Sequence, residues 1–419
     1  MNRLLFFIAF MVSGGLLWGQ SLNLDTCISQ AKKHYPNAMD SKVLEQISAL
    51  QVKSLSTAYL PQLDLTWQAS WQNDVPHVAS GSMPFTIPMA PKDQYKAMVD
   101  IKQLLFDGGA VSAQKKLENA GLEVSLANTD VTLYKVGLSV MESYFTALSV
   151  DRQIDILNLV IDDLSARLTE MQARVTNGLV LESDMLLIEV EKTKKEQERS
   201  QLLLMLKNAK DVLAIYTATT IGEQSVLTVP EIPASTEQLN RPELNWFSAQ
   251  NSQLDAAMNA TSKQRMPRLL AFGQAGYGNP SYNMLNNEFD TFYMVGLRLN
   301  WSITDWGKSH RDKSILSMKK EMVQSGQESF LQSHNLAAVK FSSQIEQQKV
   351  ALEGDKKIVD LQSRIIATAI SQLKNGVITS TDYINRLNGY ELAKRLLTNR
   401  ELEVLKNQNL LAYWRGSAK

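Results

Sequence analysis

Two rhythms of apolar residues run along this chain, and each returns once about two hundred residues later. The first has period two. Leu63, Leu65, Trp67, Ala69 and Trp71 alternate with Gln62, Asp64, Thr66, Gln68 and Ser70. Tyr95, Ala97, Val99 and Ile101 alternate with Lys96, Met98, Asp100 and Lys102, and Tyr293, Val295, Leu297 and Leu299 repeat the pattern opposite Arg298 and Asn300. Alternation of this kind predicts strands with one apolar face, and segments of about ten residues with aromatics near their ends match the strands of membrane barrels. The second rhythm has period seven: Leu117, Val124, Val131, Leu138 and Phe145, then, after a phase slip near Asp151, Ile154, Ile161, Leu168 and Val175. Leu352, Val359, Ile366 and Leu373 keep the same beat in the second half. Sustained heptads without proline predict long helices in coiled-coil packing. At 1.5 Å per residue, the stretch from Ala110 to Thr176 would reach about 100 Å.

The recurrence is a duplication. "NGLVLESD" at 177–184 returns as "NGVITSTD" at 375–382, an offset of 198 that also relates Asp107 to Asp305 and Gly109 to Gly307. Farther upstream, Pro36 and Pro61 stand 206 residues before Pro242 and Pro267. The offset changes once, by eight, so the first half carries one longer loop; residues 72–94 fit it, against 278–291 in the second half. Each Asn-Gly pair predicts a helix stop with the glycine at positive φ. "ESD" and "STD" then offer side-chain caps to the returning helices. The expected layout is a signal segment at 1–19, an N-terminal helical segment at 20–60, a strand hairpin at 61–107 and a helical hairpin at 108–216. A linker at 217–242 and a connecting helix at 243–266 lead to the second strand hairpin at 267–305 and the second helical hairpin at 306–415.

This is a mainly α fold with a small antiparallel β part. Four membrane-type strands are too few to close a barrel, and open edges are not tolerated in lipid, so closure is expected from further copies. Two chains would give eight strands, an interior filled by side chains; three give twelve, wide enough for a passage. The long helices would continue that cylinder as a tunnel.

Charge adds little: 43 acidic and 43 basic residues give no general field for nucleic acid. The N-terminal "MNRLLFFIAFMVSGGLLWGQ" has one Arg, an apolar run from Leu4 to Trp18 and a small residue at Gly19, the layout of a secretory signal peptide. No later run is long and apolar enough for a transmembrane helix. The single cysteine, Cys27, rules out an intrachain disulfide and reads as a small apolar residue of the first helix. An exported, cysteine-poor chain with barrel strands suggests a Gram-negative outer membrane and periplasm.

With "SLNLDTCISQAKKHYP", the paired "YLPQLDL" and "FDGG", the mid-chain "NRPEL" and both Asn-Gly tips in this order, the chain resembles the TolC-like outer-membrane efflux factors over essentially its whole mature length. The resemblance implies a homotrimer with a twelve-stranded outer-membrane barrel and a periplasmic helical tunnel. The tunnel docks on a periplasmic adaptor (membrane fusion) protein and an inner-membrane transporter, as the exit duct of a tripartite exporter. Carried onto this sequence, the adaptor-contact tips fall on Gly178, Leu179, Val180, Gly376 and Val377. The periplasmic gate falls on Asp382, in the place of a constricting acidic ring, on Asp184, in the place of a latch between hairpins, and on Ile378. The sequence departs from the family at three places: Ile378 stands where drug-efflux members carry Arg, and Leu373 and Asn385 stand where a Tyr and a second Asp of the constriction are found. A more apolar closure is expected here. Each Asp also fits a helix cap.

An enzyme is disfavoured. His34, His77, His310 and His334 are scattered without ligand spacing, and "GQAGYG" at 273–278 lies in an alternating strand rather than before a helix. No cofactor and no metal site are expected. A soluble periplasmic coiled-coil adaptor would explain the helices but not the strands. Cargo stays open between small molecules, heavy-metal cations and secreted polypeptides. Met83, Met89 and Met98 would suit a soft metal, yet no Cys or His joins them.

Overall fold

The computed structural model describes residues 21–75, 89, 91–222, 224–232, 239–283 and 286–416. The expected signal segment, His77 and Met83 lie outside the described residues. In chain order the elements are β1 (Ser21–Leu22), α1 (Leu24–His34), α2 (Asp40–Ser56), β2 (Gln62–Trp71), β3 (Asp93–Phe106), α3 (Ala110–Thr176), α4 (Glu182–Thr217), β4 (Val226–Leu227), α5 (Pro242–Lys263), β5 (Arg268–Asn279), β6 (Asp290–Asn300), α6 (Lys308–Lys374) and α7 (Ser380–Trp414). They divide into two compact units. One takes Met1–Ala38, Asp130–Pro242 and Leu331–Lys419; the other takes Met39–Thr129 and Glu243–Phe330.

The second unit holds a four-stranded antiparallel sheet in the order β2-β3-β5-β6. Its two hairpins are duplicates to the residue. Leu63 pairs with Ile101 and Leu65 with Val99; adding the two repeat offsets gives Leu269 with Leu299 and Ala271 with Leu297, which are the pairs found. Because side chains alternate, one register fixes both faces. Leu63, Leu65, Trp67, Ala69 and Trp71 share a face with Tyr95, Ala97, Val99, Ile101, Gly273, Ala275, Tyr277, Tyr293, Val295, Leu297 and Leu299. Among the described residues that face has no cover: Leu65 is 80% exposed, Trp67 73%, Tyr293 81% and Val295 77%. On the other face Lys102 pairs with Asp64 at 3.3 Å, and Gln274 donates to buried Asp100 at 2.5 Å. There Phe272 and Phe292 lie over Gly296 and Gly276, filling the space a Cβ would need. The expected two-faced strands are present, but among the described residues no core covers the apolar side.

Each strand pair feeds a long helix through the same device. Asp107 accepts from the N–H groups of Gly109 (2.8 Å) and Val111 (2.6 Å), and Asp305 from those of Gly307 (3.1 Å) and Ser309 (2.9 Å). These carboxylates satisfy donors that the first helical turn leaves free. Each is steadied by a residue just ahead of its own repeat's first strand: the Tyr59 hydroxyl donates to Asp107 at 2.8 Å, and Arg265, its counterpart, stands 3.6 Å from Asp305. The repeats also differ in the turn itself. Trp306 adopts φ +52° where Gly108 adopts +68°.

In the first unit, α3, α4, α6 and α7 supply the packing and α1 lies on them. Tyr144, Leu148, Leu157 and Leu213 are fully buried, with Cys27 and Ala31 of α1 against them. Burial pushes the Cys27 thiol up to about 11, as expected of a packing residue. The "NRPEL" motif clasps the end of α7. The Arg241 guanidinium stacks on Tyr134 (4.4 Å) and Trp414 (4.6 Å) and donates to the Trp414 carbonyl at 3.2 Å. Pro242 occupies the first position of α5, where its missing N–H costs no hydrogen bond.

Candidate functional site

The echoed Asn-Gly segments form two matching tips within the first unit. Gly178 (φ +69°) and Gly376 (φ +70°) stop α3 and α6. Gly178 N–H bonds the Val175 carbonyl (2.9 Å) and Leu179 N–H the Arg174 carbonyl (2.9 Å). In the second tip, Gly376 bonds Leu373 (3.1 Å) and Val377 bonds Gln372 (2.8 Å). Each tip is thus a Schellman stop, and the Asn side chains add bonds to Ala173 (2.8 Å) and Ser371 (2.9 Å). In this motif the residue after the glycine usually rests on an apolar side chain one turn back. Here that place is held by Arg174 and Gln372, so Leu179 and Val377 stay out in solvent, each 68% exposed. Leu181, beside them, is 71% exposed.

The residues after the tips turn inward. Val180 and Ile378, equivalent in the repeat, pack against a core of Val160, Leu164, Met171, Met185, Ile188, Ile366, Ala369, Leu373, Tyr383 and Leu387. Leu373 is therefore part of the apolar packing between the hairpins, and Ile378 rests against it. Asn385 is exposed.

The two aspartates behave differently. In the second tip Thr379 is the N-cap of α7 and Asp382 completes a capping box. The Asp382 N–H donates to Thr379 Oγ1 (3.2 Å), while the Thr379 hydroxyl (2.8 Å) and N–H (3.2 Å) both donate to Asp382 Oδ2. These bonds from Thr379 hold the Asp382 carboxyl below the usual carboxylate range. In the first tip the equivalent of Thr379 is Leu181, which has the same extended backbone and no hydroxyl, so α4 begins without a side-chain cap. The expected cap in "ESD" is absent for that reason, and Asp184 is half-buried with its N–H on the Leu181 carbonyl at 3.1 Å.

Polar groups absent from the sequence reading tie the hairpins together. Arg174 Nη1 donates to the Leu373 carbonyl across the hairpins at 3.0 Å, while within the second hairpin Arg386 donates to Gln372 at 2.8 Å. The fully buried Tyr383 donates its hydroxyl to Asp163, which neighbours Arg167 (3.8 Å). Burial, with the adjacent Asp163 carboxylate, pushes the Tyr383 phenol well above its ordinary value. Farther along, Glu391 (side chain 3% exposed) meets Lys195 at 2.6 Å and Arg395 at 3.2 Å, and Arg395 meets Glu198 at 2.6 Å. The signal was in the sequence as charges every three or four residues on α4 and α7, a pattern that reads as a solvated face. Among the described residues no three His, Cys, Asp or Glu side chains converge in a metal-binding group.

No family model and no curated protein matches the sequence. Solved structures do match in fold. The CmeC outer membrane channel of Campylobacter jejuni is 14% identical with a TM-score of 0.66, over 94% of this chain and 86% of that one. The outer membrane protein VceC of Vibrio cholerae is 12% identical at 0.66, over 94% and 96%. The open MtrE outer membrane channel of Neisseria gonorrhoeae is 16% identical at 0.66, over 94% and 88%. The chain has the fold of the TolC-like channels over nearly its whole length.

Proposed function

We propose that this chain, with its TolC-like fold, is the outer-membrane exit duct of a tripartite efflux system, working as a homotrimer and not as an enzyme. The observation that carries the reading is the sheet: four strands, apolar and exposed on one face and with the charged and amide side chains on the other, both edge strands being unpaired among the described residues. Such edges do not persist in lipid, and twelve strands from three copies remove them. The apolar face then meets lipid and the polar face lines the passage.

The tips supply the periplasmic entrance. Leu179 and Val377, apolar side chains left without their usual intrahelical partner, suit contact with a periplasmic adaptor bound to an inner-membrane transporter. Gly178 and Gly376 set the turns that present them, with Val180 behind. Asp382, three copies of which would face one another at a narrow mouth, supplies the acidic ring, and its lowered carboxyl keeps it charged at physiological pH. Asp184 and Ile378 complete the gate, the latter through the apolar packing between the hairpins. Cargo crosses without covalent chemistry, energy being coupled in the pump.

The test is deletion of residues 177–184 in cells that depend on the exporter. Export is lost while the protein remains in outer membranes, resisting extraction by carbonate. Recovery of the full-length chain in the soluble periplasmic fraction would instead identify an adaptor-like protein.

A further inference from the structure

The duplication specifies more than the fold of one chain. Within the chain, the first hairpin meets the second along β3 and β5: Ala97 pairs with Tyr277, Val99 with Ala275, Ile101 with Gly273 and Gln103 with Ala271. In a ring of copies, β6 ends one repeat just as β3 does, and β2 begins the next just as β5 does. We infer that the seam between copies replicates the seam between repeats, so that β6 pairs with β2 of the next copy in one defined register. Leu297 then faces Ala69, Leu299 faces Trp67, Val295 faces Trp71 and Trp301 faces Leu65. This rests on the trimeric duct proposed above and adds the residue-level contact to it.

Three features of the single chain fit this register. First, the hairpins superimpose under the two offsets pair for pair, so their outer edges present the same pattern as their inner ones. The translated pairs join apolar face to apolar face, whereas a slip by one residue would set Leu297 against Gln68 or Ser70. Second, β3 continues to Phe106 because β5 gives it partners down to Leu269, while β6 stops at Asn300. Residues 301–304, the counterparts of 103–106, have no strand partner among the described residues, only the Arg265 guanidinium donating to the Ile303 carbonyl at 3.2 Å; Trp301 is 60% and Ile303 73% exposed. In the replicated seam they find β2 and extend the strand.

Third, the junction at the helix end has its two halves waiting. A Cβ on Gly108 would stand 2.0 Å from the Cβ of Met266. The counterparts are Trp306 and Leu60, which are 86% and 60% exposed. Trp306 carries a side chain where Gly108 has none, so the seam between copies is wider at this end than the internal one, and the indole covers Leu60 of the next copy. A tryptophan at positive φ is strained, and strain of this kind persists where surroundings demand it.

Residues directly opposite in antiparallel strands have Cβ atoms about 4.5–5.5 Å apart, near the spacing that a disulfide bridges. The full-length chain with C27S, A69C and L297C, oxidised in outer membranes, should run as a reducible covalent trimer in denaturing gels. The pairs L297C with W67C, W71C or S70C should not, and the single variants give monomer and report folding. Bridging at 67 or 71 instead of 69 would overturn the register and leave the trimeric duct standing. Absence of every bridge in a protein that is trimeric by native mass would overturn the strand seam itself. Absence of every bridge in a monomeric protein would overturn the proposed function with it. Replacement W306G, which relieves the strain in the chain, should lower the temperature at which native trimers dissociate in detergent; an unchanged or higher temperature would remove Trp306 from the seam.

Discussion

Arg174, in the last turn of α3, donates a 3.0 Å hydrogen bond to the main-chain oxygen of Leu373, in the last turn of α6. That oxygen also accepts from Gly376 N–H, so one carbonyl serves the stop of its own helix and the tie between hairpins. A cation at a helix C-terminus is favoured by the negative end of the dipole and by the carbonyls left free there. Arg174→Met should weaken this tie by about 1–2 kcal/mol. Hydrogen exchange would show it as faster exchange confined to the amides of residues 373–378 and 174–180. Uniformly faster exchange along α3 would mean that Arg174 supports the helix instead of the seam.

The two tips should respond differently to loss of a hydroxyl. Thr379→Ala removes the N-cap of α7 and is expected to cost about 1 kcal/mol. Leu181→Thr places a hydroxyl on the same extended backbone at the uncapped start of α4, next to Asp184, and should gain a similar amount. Denaturant-dependent exchange of the first-turn amides of each helix measures both. A loss on Leu181→Thr would mean that Leu181 is held by a contact absent from the single chain, the adaptor-facing role proposed for this tip.

Asp382 gives the second tip a pH dependence with a fixed sign. Its carboxyl is held below the unfolded value of about 3.9, so its stabilising contribution is fully present above that value and is lost as pH falls through the lower native one. The start of α7 should therefore be unchanged between pH 8 and 5 and should fray below about pH 4. Asp382→Asn should abolish the transition, and amide exchange at residues 380–384 across that range would decide it.

The fold was legible because the duplication is written twice. Asp107 and Asp305, Gly178 and Gly376, and the alternating strands all recur at fixed offsets, and a recurring local signal points to a recurring local structure. What the pattern could not give was chemistry that depends on which helix lies opposite. Glu391 and Arg395 of α7 look like exposed charges until Lys195 and Glu198 of α4 are placed beside them. Leu181 was hidden for the opposite reason: the repeat invites the expectation that both tips are capped alike, and one residue breaks the symmetry. The strands of both hairpins were readable as two-faced, but nothing among the described residues covers the apolar face.

Tyr383 should be a tyrosine that does not titrate in the ordinary range. Its phenol is fully buried and donates to Asp163, both of which disfavour the phenolate. In a spectrophotometric titration, Tyr383→Phe should leave the absorbance rise between pH 9 and 11.5 unchanged, because the removed phenol ionises only on unfolding. A drop of one tyrosine's amplitude in that range would place the hydroxyl in water. The same variant leaves the half-buried Asp163 without its donor and should cost about 1–3 kcal/mol.

Glu391 is the most consequential charge in the helical unit. Its carboxylate is almost wholly out of water and is matched by Lys195 at 2.6 Å and Arg395 at 3.2 Å, with Glu198 balancing the second cation. Replacing one member of a buried pair strands the other, and Glu391→Leu is expected to destabilise by about 3–5 kcal/mol. Removing the cation as well should recover much of that loss: Lys195→Met with Glu391→Leu leaves the Arg395–Glu198 pair intact and trades an ion pair for apolar contact between α4 and α7. Thermal unfolding of wild type, both singles and the double gives the coupling directly. A double variant as unstable as the sum of the singles would show that Lys195 and Glu391 act independently. Recovery in the double would mean that the network's value lies in matching one hairpin to the other, since mismatched charges are penalised far more than matched ones are rewarded.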